Sequence, residues 1–147
     1  MSSLFVDCPT GLAGDMILAG LLDLGVPRKV VEVPLSTLGL ENAYALKVEE
    51  DRSLGLRGQR VSVEGLELEP PERRWQEVRA MIMEAPLQES LQRKVLAVFK
   101  TLAECEASVH GYMVDRVHFH ELGAIDALVD VVGVCAAFEY LSPKQVF

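Results

Sequence analysis

The chain has no CxxC pair, and its three cysteines, Cys8, Cys105 and Cys135, lie far apart. That spacing excludes a zinc knuckle and a disulfide framework and fits a reducing, cytoplasmic setting. No apolar run approaches the roughly 20 residues that span a bilayer. The longest, Met16 to Leu22 and Val131 to Phe138, each include a glycine. The opening "MSSLFVDC" lacks the basic segment of a secretory signal. Positive charge is scarce: 14 Lys and Arg stand against 22 Asp and Glu, a net charge of -8. A phosphate backbone would be repelled, so nucleic acid is not an expected partner, and neither is a membrane. GxSxG, HExxH and GxGxxG are absent. No Lys-Ser or Lys-Thr follows the glycines of "PTGLAGD", so there is no P-loop. Internal repeats and low-complexity tracts are missing as well.

What is present is a chain of 147 residues, half of them hydrophobic and 24% charged. That is enough for one domain with a real core. The pattern predicts an α/β fold (α+β is the near alternative): a small mixed sheet with a β-hairpin, covered by several helices. Ser3 to Cys8 reads as a strand. A helix follows, capped by Thr10 and ended by Gly25 and Pro27. Arg28 to Leu38 reads as a second helix interrupted at Pro34. Ala43 to Glu50 and Gln59 to Glu64 alternate as a hairpin. "ELEPPE", Glu67 to Glu72, is an acidic connector. Arg73 to Glu84 and Leu87 to His110 read as helices, the second with Leu91, Val95, Phe99 and Leu102 on one face. Val114 to Phe119 reads as a strand and Gly123 to Leu141 as a last helix. "SPKQVF" reads as a turn into a buried strand. Val146 and Phe147 would then lack a downstream partner, so the chain is expected to be a fragment or a truncated product.

The segment "VHFHELGAIDALVD", Val117 to Asp130, packs five titratable groups among apolar and small residues. On a strand, His118 and His120 would point one way and Val117 and Phe119 the other. Imidazoles followed by Glu121 and Asp126 form a donor mix suited to Zn, Ni, Co, Mn or Fe. Taken singly, Asp126 is a first-turn acid whose commoner fate is to cap the helix and serve its dipole. Asp130, one turn on, repels it and needs a positive partner: an Arg, a protonated His or a metal ion. The N-terminal stretch repeats the layout. Asp7 ends a strand, Thr10, Gly11 and Gly14 lie where a phosphate could approach a helix N-terminus, and Asp15 follows. The bland alternative is a tight turn packed by small residues. If the two strands were parallel neighbours, Asp7, Asp15, His118, His120, Glu121 and Asp126 would converge on one edge. Trp75, beside Arg73 and Arg74, is by default a core residue rather than a stacking platform.

"FVDCPTGLAGDMILAGLLDLGVP" (Phe5 to Pro27), "LAECEASVHG" (Leu102 to Gly111) and "VHFHELGAIDALVDVVGVCAAFEYL" (Val117 to Leu141) together resemble the LarC family of nickel-insertion proteins. The resemblance covers most of the chain in the same order. It implies a nickel chelatase, or cyclometallase, of the lyase class. Such a protein inserts nickel into pyridinium-3,5-bisthiocarboxylic acid mononucleotide to make the nickel-pincer nucleotide cofactor. The step is CTP-dependent, and CTP with Mg or Mn belongs to a C-terminal region that this chain does not resemble. On this reading His118, His120, Glu121 and Asp126 hold metal, Asp7 and Asp15 are catalytic carboxylates, and Thr10, Gly11 and Gly14 admit the phosphate. The mononucleotide is the small-molecule partner, and a homo-oligomer is compatible. The histidine-rich tract of many family members is missing here, where "ELEPPE" stands in its place. Two other classes fit the residues: a metal-dependent phosphoester hydrolase, and a non-catalytic metal-binding or assembly domain.

Overall fold

The computed structural model of the protein describes residues 3–68, 71, 73–119 and 124–147. Among these, the chain runs β1 (Ser3–Leu4), α1 (Gly14–Asp23), α2 (Arg28–Thr37), β2 (Tyr44–Ser53), β3 (Leu56–Gly65), α3 (Trp75–Glu84), α4 (Glu89–His110), α5 (Ile125–Leu141) and β4 (Gln145–Val146). The result is a mixed α/β fold. β2 and β3 form the expected antiparallel hairpin, in register from Tyr44 opposite Gly65 to Ser53 opposite Leu56. β1 and β4 form a two-stranded parallel sheet.

α5 organises the core. Leu128, Val129 and Val132 are fully buried, as are Leu18 of α1 and Val31 and Leu35 of α2. Full burial of such side chains contributes roughly 1.5–3 kcal/mol each. Gly133 lets the helices approach, for a Cβ there would stand 2.9 Å from Val31 Cγ1 and 3.3 Å from Leu18 Cδ1. α1 and α2 both end in a glycine of positive φ, Gly25 at 97° and Gly39 at 74°. In each case two amides bond back to the last turn: Gly25 and Val26 to Leu22 and Leu21, Gly39 and Leu40 to Ser36 and Leu35. A second part of the core holds Phe99 of α4, Phe119 and Trp75, with Phe119 edge-on to Trp75 at 6.3 Å and 6.1 Å from Phe99. Trp75 is therefore the core residue that its sequence context suggests.

Several expectations need correction. The N-cap of α1 is Ala13, without a side-chain cap, and not Thr10. Thr10 sits in a turn before Gly11, whose φ of 100° prevents the helix from starting there. Pro34 does not interrupt α2, which continues through it. Val114 to Phe119 is not a strand. Val114–Arg116 is a 3-10 turn, and His118 makes a single antiparallel bridge to Arg74. The Trp75 N–H donates to the Val117 carbonyl and the Phe119 N–H to the Arg73 carbonyl, which satisfies the segment without a sheet. Val146 and Phe147 are exposed rather than buried, and they pair upstream: the Phe147 N–H donates to the Leu4 carbonyl at 2.9 Å, and the Val6 N–H to the Phe147 carbonyl at 2.7 Å.

Candidate functional site

The first turn of α1 and the second turn of α5 meet at Gly14 and Asp130. A Cβ built on Gly14 would stand 2.6 Å from Asp130 Oδ2, 2.7 Å from its Cβ and 2.8 Å from its Cγ. Only glycine leaves room for that carboxylate. Asp15 follows Gly14 on α1, and Asp126 precedes Asp130 by one turn on α5. Asp15 Oδ1 accepts from the Met16 N–H and Asp126 Oδ1 from the Ala127 N–H, each at 2.8 Å. Both thus serve the open amides of a helix N-terminus, the role that the dipole favours.

Asp130 is different. Its Oδ1 is buried and has no hydrogen-bond partner among the described residues. Burial, then the charge of Asp15, then that of Asp126 push its carboxyl up to about 6, and the Asp15 backbone N–H only partly offsets them. An apolar helix pair therefore holds three carboxylates at one point, one of them reluctant to ionise. A cation would relieve both repulsions on Asp130. Among the described residues, however, no group of three or more His, Cys, Asp and Glu side chains is arranged to hold a metal ion. The trio concentrates charge without closing a coordination sphere.

Of the residues singled out by the sequence, Asp15, Asp126 and Gly14 come together here. Gly14 admits the Asp130 side chain. Asp7 lies on the other flank of α1, in a cavity of about 310 Å³ under β1. Asp15 opens instead into a groove of about 420 Å³ between α1 and β3, where Asp23, Asp51, Gln59 and Arg60 also stand. Met16 and Gly20 line both hollows, so α1 separates them. Thr10 and Gly11 are exposed in the loop before α1. His118 is exposed, with Val117 and Phe119 buried on the opposite side, which is the expected alternation. It lines a third cavity with Glu106, His110 and Tyr112. The parallel neighbour of β1 is β4 and not the 117–119 segment, so the strand pairing expected to gather all six side chains is absent from the described residues. His120 and Glu121 lie outside the described residues.

Asp130 is the member of this cluster to which the sequence gives least weight. Its signal was legible as a second acid at i+4 from Asp126 in a helix otherwise apolar all round. It read as an electrostatic problem and not as a member of the site.

This arrangement defines a class: an acidic α/β chain that assembles carboxylates between the N-terminal turns of two apolar helices. Residues 4–147 match the family model described as "Nickel insertion protein". A protein from Synechococcus sp. is 41% identical over 146 residues, 99% of this chain and 37% of its own length. One from Geobacter metallireducens is 46% identical over 142 residues, 96% of this chain and 36% of its own. One from Geobacter sulfurreducens is 42% identical over 147 residues, 99% and 38%. All three are named for nickel insertion. The chain belongs to the nickel insertion protein family, and it spans a little over a third of the length of these curated relatives. No solved structure matches it.

Proposed function

We propose that this chain takes part in inserting nickel into pyridinium-3,5-bisthiocarboxylic acid mononucleotide, with Ni²⁺ and the mononucleotide as substrates and CTP consumed by the longer family proteins. The observation that supports a cation-handling site is the buried Oδ1 of Asp130, which has no hydrogen-bond partner among the described residues and feels the charges of Asp15 and Asp126. Like charges gathered around a half-buried carboxyl disfavour its ionised form, and a divalent cation would supply the missing counter-charge. Asp15, Asp126 and Asp130 attract the ion. His118, with His120 and Glu121 next along the chain, supplies donors that suit nickel better than carboxylates alone do. Thr10 and Gly11 are exposed ahead of α1, and in this reading they take the mononucleotide phosphate. Cyclometallation replaces a C–H bond with a carbon–metal bond, so some base must take the proton. Asp7 and Asp15 are the candidate bases.

The test is equilibrium dialysis of untagged protein against Ni, Co, Zn and Mn, with melting curves to verify folding. Stoichiometric nickel is expected, lost in the double variant Asp126→Asn, Asp130→Asn while the fold persists. Equal uptake by both proteins, or none by either, would sink the reading.

A further inference from the structure

The β1/β4 sheet is built unlike a finished one. Parallel sheets normally have both faces covered, and two short strands do not stand alone in water. Here each strand is two residues long. Leu4 and Val6 face β4 through their bonds to Phe147, so the intervening Phe5 turns its backbone N–H and carbonyl to the opposite edge. No backbone hydrogen bond of Phe5 is found among the described residues. The same alternation turns Val146 to the outer edge of β4.

The side chains show the same lack of cover. Phe5 is 72% exposed, Phe147 64%, Leu24 62% and Met16 55%. Phe5, Met16 and Leu24 line one cavity of about 310 Å³, floored by Ile17, Leu21 and Phe138. Scattered apolar residues on a surface need no explanation, but several converging on one hollow beside two open strand edges do.

The relatives supply the occupant. This chain matches them almost end to end, yet accounts for only 36–38% of their length. We infer that the β1/β4 sheet and the Phe5–Met16–Leu24 hollow form a docking surface for the polypeptide that makes up the rest of that length. A β-strand from it extends the sheet at Phe5 or Val146, and an apolar side chain fills the hollow. Strand addition of this kind takes its affinity from main-chain bonds and its specificity from a pocket for alternate side chains. Asp7 lines the same hollow, so the docked segment would close one flank of α1. The inference rests on family membership and relative length, and not on the nickel chemistry.

The test compares amide hydrogen exchange in this chain with exchange in the full-length Geobacter metallireducens relative. In this chain the Phe5 and Val146 amides should exchange near the unprotected rate. In the longer protein, at least one of the two matched amides should be slowed tenfold or more. Equal rates in the two proteins would overturn the inference. A second measurement covers the side chains. Phe5→Asp and Leu24→Asp should leave the melting temperature of this chain within a degree or two, and the matched changes should lower that of the full-length relative by several degrees. Loss of stability in this chain would show that the patch already packs internally, and would also overturn it. Sedimentation showing this chain as a dimer that Phe5→Asp dissolves would assign the surface to a second copy instead.

Discussion

Gly14 and Asp130 occupy one space: the position a Cβ would take on Gly14 lies 2.6 Å from Asp130 Oδ2, inside any allowed contact. The pair fixes how α1 meets α5, and through them how Asp15 meets Asp126. Gly14→Ala should therefore destabilise the protein by about 1–3 kcal/mol, against the gain of up to about 1 kcal/mol that alanine brings to an open helix position. Denaturant unfolding measures it. Adding Asp130→Gly should recover most of the loss. Adding Asp130→Ala should recover less, because that residue's Cβ is itself 2.7 Å from the new methyl.

Asp130 makes the apo protein pH-sensitive in an unusual direction. Its carboxyl, pushed up to about 6, keeps its proton in the folded state over a range where the unfolded chain, at an ordinary value near 3.8, has released it. The folded state binds more protons there, so stability falls as pH rises from about 4 to 6 and then levels off. Asp130→Asn should flatten that slope. It should leave stability unchanged at pH 4 and raise it at pH 7 by on the order of 1 kcal/mol, since solvent screens a partly exposed group. A wild-type chain whose stability is flat or rises over that window would refute the assignment.

The causes of that shift can be ranked in the same experiment. Asp15 contributes more than Asp126. Asp15→Asn should therefore lower the Asp130 titration midpoint further than Asp126→Asn does, as read by carboxyl-carbon NMR. The reverse order would mean that α1 and α5 do not meet as described.

Much of this was legible beforehand, for physical reasons that also mark where legibility stopped. The long amphipathic pattern from Leu87 to His110 became α4, because periodicity sustained over many turns is hard to mimic. The hairpin followed from the alternation in Ala43–Glu50 and Gln59–Glu64, although its strands run on through the expected connector to a two-residue turn at Leu54 and Gly55. Val117, His118 and Phe119 alternate just as well, yet they form one bridge to Arg74, because a short segment can bury two apolar side chains without a sheet. The pairing of β1 with β4 joins the two ends of the chain, and no local pattern encodes it. Asp126 is legible as a candidate because it follows two histidines. Asp130 was not, because its significance lies in Gly14, more than a hundred residues away.

Phe119 should be the anchor of the 117–119 segment. It is 1% exposed, between Trp75 and Phe99. Phe119→Ala should cost about 3–5 kcal/mol. Trp75 is the only tryptophan, so its fluorescence should report the loosening directly. A cost under about 1 kcal/mol would mean that the segment is not held by this contact.

His118 gives the sharpest separation between a metal-handling role and a structural one. Its side chain is exposed, and its two neighbours carry the packing. His118→Ala should therefore leave apo stability within about 0.5 kcal/mol of wild type. Nickel should separate the two proteins. Any ligand that binds only the folded state stabilises it by about 2.7 kcal/mol at a hundredfold excess over its dissociation constant. Wild type should gain an amount of that order in saturating nickel, and the variant should gain less if His118 is a ligand, because imidazole is a donor that suits nickel. Paired denaturant melts with and without nickel read both quantities. A loss of roughly 1–3 kcal/mol in the variant, the same with and without metal, would make His118 part of a structural network and remove it from the proposed nickel path.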